Sequence, residues 1–177
     1  IPNLYIADGH HRSAAAERVA ERRAGSGTSG LFLTVLFPHN QMQILAYNRV
    51  VRDLHGHSPE AFLGALGQVF DIEESGLPKP HGKHEICLYL GDRWRTLRPK
   101  VSSIDIDDPI KQLDVSILQD YTLAPLLGID DPRTSKRIAF VGGIRGTGEL
   151  ENLVNSGVFA CAFSLSPTSI EDLMRIA

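Results

Sequence analysis

The stretch Ile6-Ala7-Asp8-Gly9-His10-His11-Arg12, with the run Ser13 to Arg22 behind it, constrains the fold of this 177-residue chain more than any other part. Asn3 to Ala7 has strand character, and the Ala-rich segment that follows the motif has high helix propensity, with no Gly or Pro until Gly25. The spacing therefore predicts a strand-to-helix turn, with Asp8 as N-cap and Gly9, His10, His11 and Arg12 in the first turn of a helix over 11–24. Unpaired N–H groups and the helix dipole favour an anion there. Gly9 permits close backbone approach. Arg12 offers a two-pronged fork, the imidazoles of His10 and His11 can donate hydrogen bonds or move protons, and Asp8 can act as base toward a hydroxyl. The plainer reading is a capped helix with solvated histidines and Arg12 paired to a surface acid such as Glu17.

Five blocks extend the constraint along the chain. They are the Asp8–Arg12 turn, Ala46-Tyr47-Asn48-Arg49-Val50-Val51, Gln112-Leu113-Asp114-Val115-Ser116, Pro125-Leu126-Leu127-Gly128-Ile129 and Phe140-Val141-Gly142-Gly143-Ile144-Arg145-Gly146. In this order they resemble a bacterial and archaeal family catalogued as domain of unknown function 1015. The Asp-Gly-His-His-Arg turn is also similar to the phosphate-binding turn of the ParB and sulfiredoxin-like superfamily, whose free-serine kinase branch carries Asp-Gly-His-x-Arg. That second resemblance implies Gly9, His10, His11 and Arg12 on nucleotide phosphates and Asp8 near the reacting group. The nucleotide would be ATP, ADP or CTP.

Hydrophobic residues make up 42% of the chain and charged residues 22%, enough for one sizeable core. A net charge of −3 argues against a general nucleic-acid binder. No apolar run approaches the roughly 20 residues of a membrane span. Cys87 and Cys161 lie in apolar strand-like runs and read as buried free thiols, which points to the cytoplasm. Both ends read as cut: no Met begins the chain, and Ile170 to Ala177 stops in a helical pattern without a cap.

Gly25-Ser26-Gly27-Thr28-Ser29-Gly30 fits G-x-G-x-x-G but follows a helix and precedes a strand, the reverse of a dinucleotide fingerprint, so it reads as a linker. Leu31–Phe37 and Gln43–Val51 read as strands joined by Pro38–Met42 as a hairpin. From a neighbouring strand, Arg49 and Arg52 could supply a second cation for phosphates, or simply line a solvent-facing edge. His55-Gly56-His57 lacks a third metal ligand nearby. Ser58 caps a helix with Pro59 at its first position, and Phe62, Leu63, Leu66, Val69 and Phe70 form its core face. A polar loop over Glu73–Lys83 precedes two strands, His84–Leu90 and Arg93–Val101, around Gly91-Asp92. Arg93, Arg95 and Arg98 read as an alternating solvated face. Pro109–Gly128 reads as helical, divided at Pro125.

The last third reads strand, helix, strand, helix. The loop Gly142–Gly148 stands between a strand and a helix but lacks Lys, and Glu149 and Glu151 occupy the helix start that a phosphate would use. The class expected is α+β, with mixed sheet segments flanked by helices. Two lobes are expected, the motif-bearing 1–57 and the remainder 58–177. The expected activity is that of a nucleotide-binding enzyme, a small-molecule kinase or phosphotransferase acting on a small-molecule substrate, with Mg²⁺ if a triphosphate is used. Asp8 and His10 are its candidate catalytic residues, and Gly9, His11, Arg12 and Arg49 its candidate nucleotide ligands. Two alternatives are a nucleotide-gated binding module without chemistry and a metal-dependent hydrolase built on Asp8, His10 and His11.

Overall fold

The computed structural model describes residues 4–74, 76–100, 105 and 107–176. It divides after Gln43 into two units. In the first, α1 (His10–Arg22) begins one residue earlier than its sequence predicts and gives way to turns over residues 23–30, where Ala24, Gly25 and Gly27 take positive φ. The expected strands of this unit are absent. Residues 4–7 form no ladder, and Asn3 lies outside the described residues. Leu31–Phe37 forms no strand and Pro38–Met42 no hairpin; a single turn of 3-10 helix, His39–Gln41, stands there instead. A strand needs a partner ladder, and with none the apolar side chains stay in solvent: Leu31, Leu33, Val35, Leu36 and Phe37 are all exposed, Leu33 by 94%. No described residue of 4–43 is buried.

The second unit holds β1 (Tyr47–Val51), α2 (Pro59–Val69), β2 (Phe70–Glu73), β3 (Ile86–Leu90), β4 (Arg93–Pro99), α3 (Asp114–Leu118), β5 (Ile138–Gly142), α4 (Gly148–Asn155), β6 (Cys161–Leu165) and α5 (Ile170–Ile176). The strands make one six-stranded sheet in the order β2-β4-β3-β6-β1-β5, and every neighbouring pair is antiparallel. The class is therefore α+β. β1 pairs with β5 on one side and β6 on the other. These two strands are joined through α4 and run parallel to each other with β1 inserted between them.

Burial on both faces accounts for the apolar character of β3 and β6, whose every residue is buried and whose one buried hydroxyl is that of Ser164, apart from the Tyr89 phenol. On one face Phe62 and Leu66 of α2 and Ile117 and Leu118 of α3 pack with Val51, Leu88, Leu97, Cys161 and Phe163. On the other, Leu150 of α4 packs with Val50, Tyr89, Val141, Phe159 and Ala162. Cys87 is opposite Ser164, so it shares the α4 face with Tyr89, whereas Cys161 points to the α2 face. Both remain free thiols.

Local signals explain most of the elements in this unit. Ser58 Oγ accepts the Ala61 N–H and Pro59 opens α2. Gly91 and Asp92 both take positive φ, as a two-residue turn between β3 and β4 requires. Val101, the expected end of the second strand, lies outside the described residues. The long helix expected over Pro109–Gly128 is broken instead into α3, one π-helical turn at Gln119–Leu123, and turns that end at Gly128, φ +61°. Ser169 Oγ caps α5 through the Asp172 N–H.

Candidate functional site

The Asp8–Arg12 turn differs from its expected geometry at the cap. Gly9, not Asp8, is the N-cap residue of α1, in the left-handed conformation at φ +83°. The Asp8 carboxylate makes no cap hydrogen bond; it lies 3.8 Å from the Arg12 guanidinium, with both side chains mostly in solvent. Arg12 in turn covers Gly9, where a Cβ would meet its Nη2 at 3.4 Å. The first intrahelical bond runs from the Ser13 N–H to the Gly9 carbonyl. The N–H groups of His10, His11 and Arg12 therefore point out of the helix start without an acceptor among the described residues, and no acid stands in the first turn. Such an end, with a guanidinium over its cap, is suited to an oxyanion.

Arg49, the remaining candidate ligand, lies in the second unit at the middle of β1. This strand is interior to the sheet, so the solvent-facing edge expected for Arg49 is corrected. The residue is half-buried beside the stacked rings of Tyr47 and Phe140. Arg52 donates to the Lys136 carbonyl, and its guanidinium carbon lies 4.9 Å from the Phe159 ring centroid.

Several charged groups have structural partners. Arg95 is buried, against the expectation of a solvated face; it donates to Glu74 and to the Leu90 carbonyl, and Trp94 beside it donates to Glu151. Asp53 holds Arg137 through both carboxylate oxygens and accepts the His55 N–H, and this pairing lowers its pKa to about 2. The His55 ring packs on Gly128, where a Cβ would come within 2.9 Å of it, while His57 lies against Phe62. Arg145 is 3.7 Å from Glu149 at the start of α4.

Asp114 opens α3 in a buried position and accepts the His84 N–H at 2.8 Å. To do so His84 adopts φ +66°, and its ring nitrogen donates to the Gln112 carbonyl at 3.1 Å. Burial, only partly offset by His84 and Lys83, pushes the Asp114 carboxyl up to about 6. Lys83 bridges Gln112 to Asp172 of α5. Sequence reasoning singled out Asp114 but not the loop that holds it, because no local pattern ties residues 83–84 to 112–114.

The fold defines an α+β protein built on one antiparallel sheet, with the candidate anion-binding turn outside that sheet's unit. A family model described as "Protein of unknown function (DUF1015)" matches residues 1–116, and the chain belongs to that family. The match takes in the Asp8–Arg12 turn and β1 to β4. No curated protein and no solved structure matches the chain.

Proposed function

We propose that the chain binds a nucleotide through the Asp8–Arg12 turn and transfers its terminal phosphoryl group to the hydroxyl of a small molecule. The observation that carries this reading is the helix start itself: Gly9 in the left-handed conformation, three unpaired N–H groups, no first-turn acid, and Arg12 over the cap. The likeness of this turn to that of the ParB and sulfiredoxin-like superfamily supports the same ligand. His10, His11 and Arg12 would hold phosphate oxygens. Asp8 would take the proton as the acceptor oxygen attacks the terminal phosphorus and the diphosphate leaves. Among the described residues no three His, Cys, Asp or Glu side chains gather to hold a metal, so a Mg²⁺ would be carried by the triphosphate oxygens. The same fact weighs against a hydrolase with Asp8, His10 and His11 as metal ligands.

A binding module without chemistry is the second reading, favoured by one observation. The Asp8 carboxylate is 95% exposed and pairs with Arg12 rather than being oriented as a base. Among the described residues no helix is long and apolar enough to cross a membrane, and the two unpaired thiols fit a cytoplasmic setting.

Calorimetric titration of ATP, ADP, CTP and inorganic phosphate, with and without Mg²⁺, tests the reading on the chain and on Arg12→Ala. Arg12 is 79% exposed, so its truncation leaves the fold intact. The expected result is nucleotide binding weakened in the variant by about 1.5–3 kcal/mol, the contribution of a charged hydrogen bond. Release of ADP on adding a hydroxyl acceptor, L-serine first, separates the enzyme from the binding module. Equal affinity in both proteins overturns the phosphate assignment.

A further inference from the structure

Among the described residues Arg49 is a cation with no counter-ion. Its guanidinium carbon lies 5.9 Å from the Tyr47 ring centroid and 5.3 Å from that of Phe140, and the two rings stack 5.0 Å apart at 6°. Sheet register causes this meeting: Arg49 stands directly opposite Phe140, and Tyr47 precedes it by two on the same face. Arg49 Nη1 donates to the Tyr47 carbonyl, and no carboxylate lies within ion-pair distance among the described residues. By contrast Arg95 holds Glu74 and Arg137 holds Asp53. Burial lowers the Arg49 pKa to about 10, which still leaves it charged at neutral pH. A partly desolvated charge is costly unless it is paired. The rings compensate only in part, because cation–π contacts contribute about 0.5–2 kcal/mol. The Nε and Nη2 groups, which form the edge that takes an oxyanion two-pronged, have no described partner. Tyr47 is 55% exposed beside them.

We propose that Arg49, Tyr47 and Phe140 form a binding site for a small aromatic oxyanion, a phosphate ester or carboxylate attached to a planar ring. The Nε/Nη2 edge of Arg49 takes the oxyanion, and the exposed Tyr47 ring takes the planar group. The site lies wholly in the second unit and does not depend on the Asp8–Arg12 turn.

The test follows the Arg49 Nε–H signal of the full chain by ¹⁵N NMR during titration with phenyl phosphate, benzoate and inorganic phosphate. The first two arms separate ester from carboxylate, and the third removes the ring. The expected result is a saturating shift of that signal with phenyl phosphate or benzoate, at about tenfold higher affinity than with inorganic phosphate. Tyr47→Ala, at an exposed position, reduces the ring-bearing ligands to the affinity of inorganic phosphate. Arg49→Lys keeps the charge but loses the fork; followed through the Tyr47 backbone amide, which the parent titration also records, it weakens binding about tenfold. Arg12→Ala leaves the response unchanged. No shift of the Arg49 signal with any of the three, equal affinity in Arg49→Lys, or loss of the response in Arg12→Ala would each overturn the proposal.

Discussion

Asp114 carries a pH dependence with a definite sign. Its carboxyl titrates at about 6 when folded and near 3.8 in the free chain, so between these values the folded state binds the extra proton. Stability from this group is therefore greatest below about pH 4 and falls as pH rises to about 6, by up to about 3 kcal/mol. Asp114→Asn keeps an oxygen for the His84 N–H and removes the buried charge, so denaturant unfolding of the variant should lack the decline between pH 4 and 6. An identical decline in both proteins would place its cause elsewhere. Asp53 acts in the opposite direction: its depressed pKa gives stability above about pH 4 that is lost as pH falls toward 2. That carboxylate is half exposed, and solvent screening limits the effect to about 1 kcal/mol. Neither residue's role is legible in the sequence, because the partners His84 and Arg137 reach them across the fold. Arg95 fails for a related reason. Alternation along β4 points to solvent, but both faces of the sheet are covered and Glu74 supplies the partner.

Elements with their own start and stop signals are the ones the sequence predicts: α2 from Ser58-Pro59 and the β3–β4 hairpin from Gly91-Asp92. Leu31–Phe37 shows the limit of such signals. Its composition favours a strand, but a strand exists only through its neighbours, and the described residues offer it none. Within the second unit, two glycines give a contrast in how closely elements pack. Gly76 donates to the Trp94 carbonyl, and a Cβ there would lie 2.4 Å from Arg95 C and Thr96 N, which are backbone atoms that cannot move aside. Gly64 in α2 has nothing within 4 Å of its would-be Cβ. Gly76→Ala should cost about 2–4 kcal/mol by thermal or denaturant unfolding. Gly64→Ala should gain about 0.5–1 kcal/mol from helix propensity and a less free unfolded chain. A neutral Gly76→Ala would contradict the close approach to β4.

At the scale of the molecule, burial among the described residues is confined to the second unit. The sheet there has side chains packed on both faces, whereas residues 4–43 bury none. Limited proteolysis should cut first between residues 23 and 45 and leave a fragment starting near Ile44 with the parent's unfolding transition. Simultaneous loss of both units would show that they unfold together. The sheet order was not legible in the sequence, since β1 pairs with β5 and β6 from the last third of the chain and no local pattern specifies so distant a pairing. The turn at Asp8–Arg12 was visible by residue type and spacing, although the cap is Gly9 in the left-handed conformation and the Asp8 carboxylate lies 3.8 Å from Arg12 instead of on the helix start. Amide NMR of the full chain during titration with Mg²⁺–ATP tests nucleotide binding at that turn most directly. The largest shifts should fall on the N–H groups of His10, His11 and Arg12, and Arg12→Ala should need at least about tenfold more nucleotide to reach them. Saturable binding that leaves these three amides unmoved would contradict it.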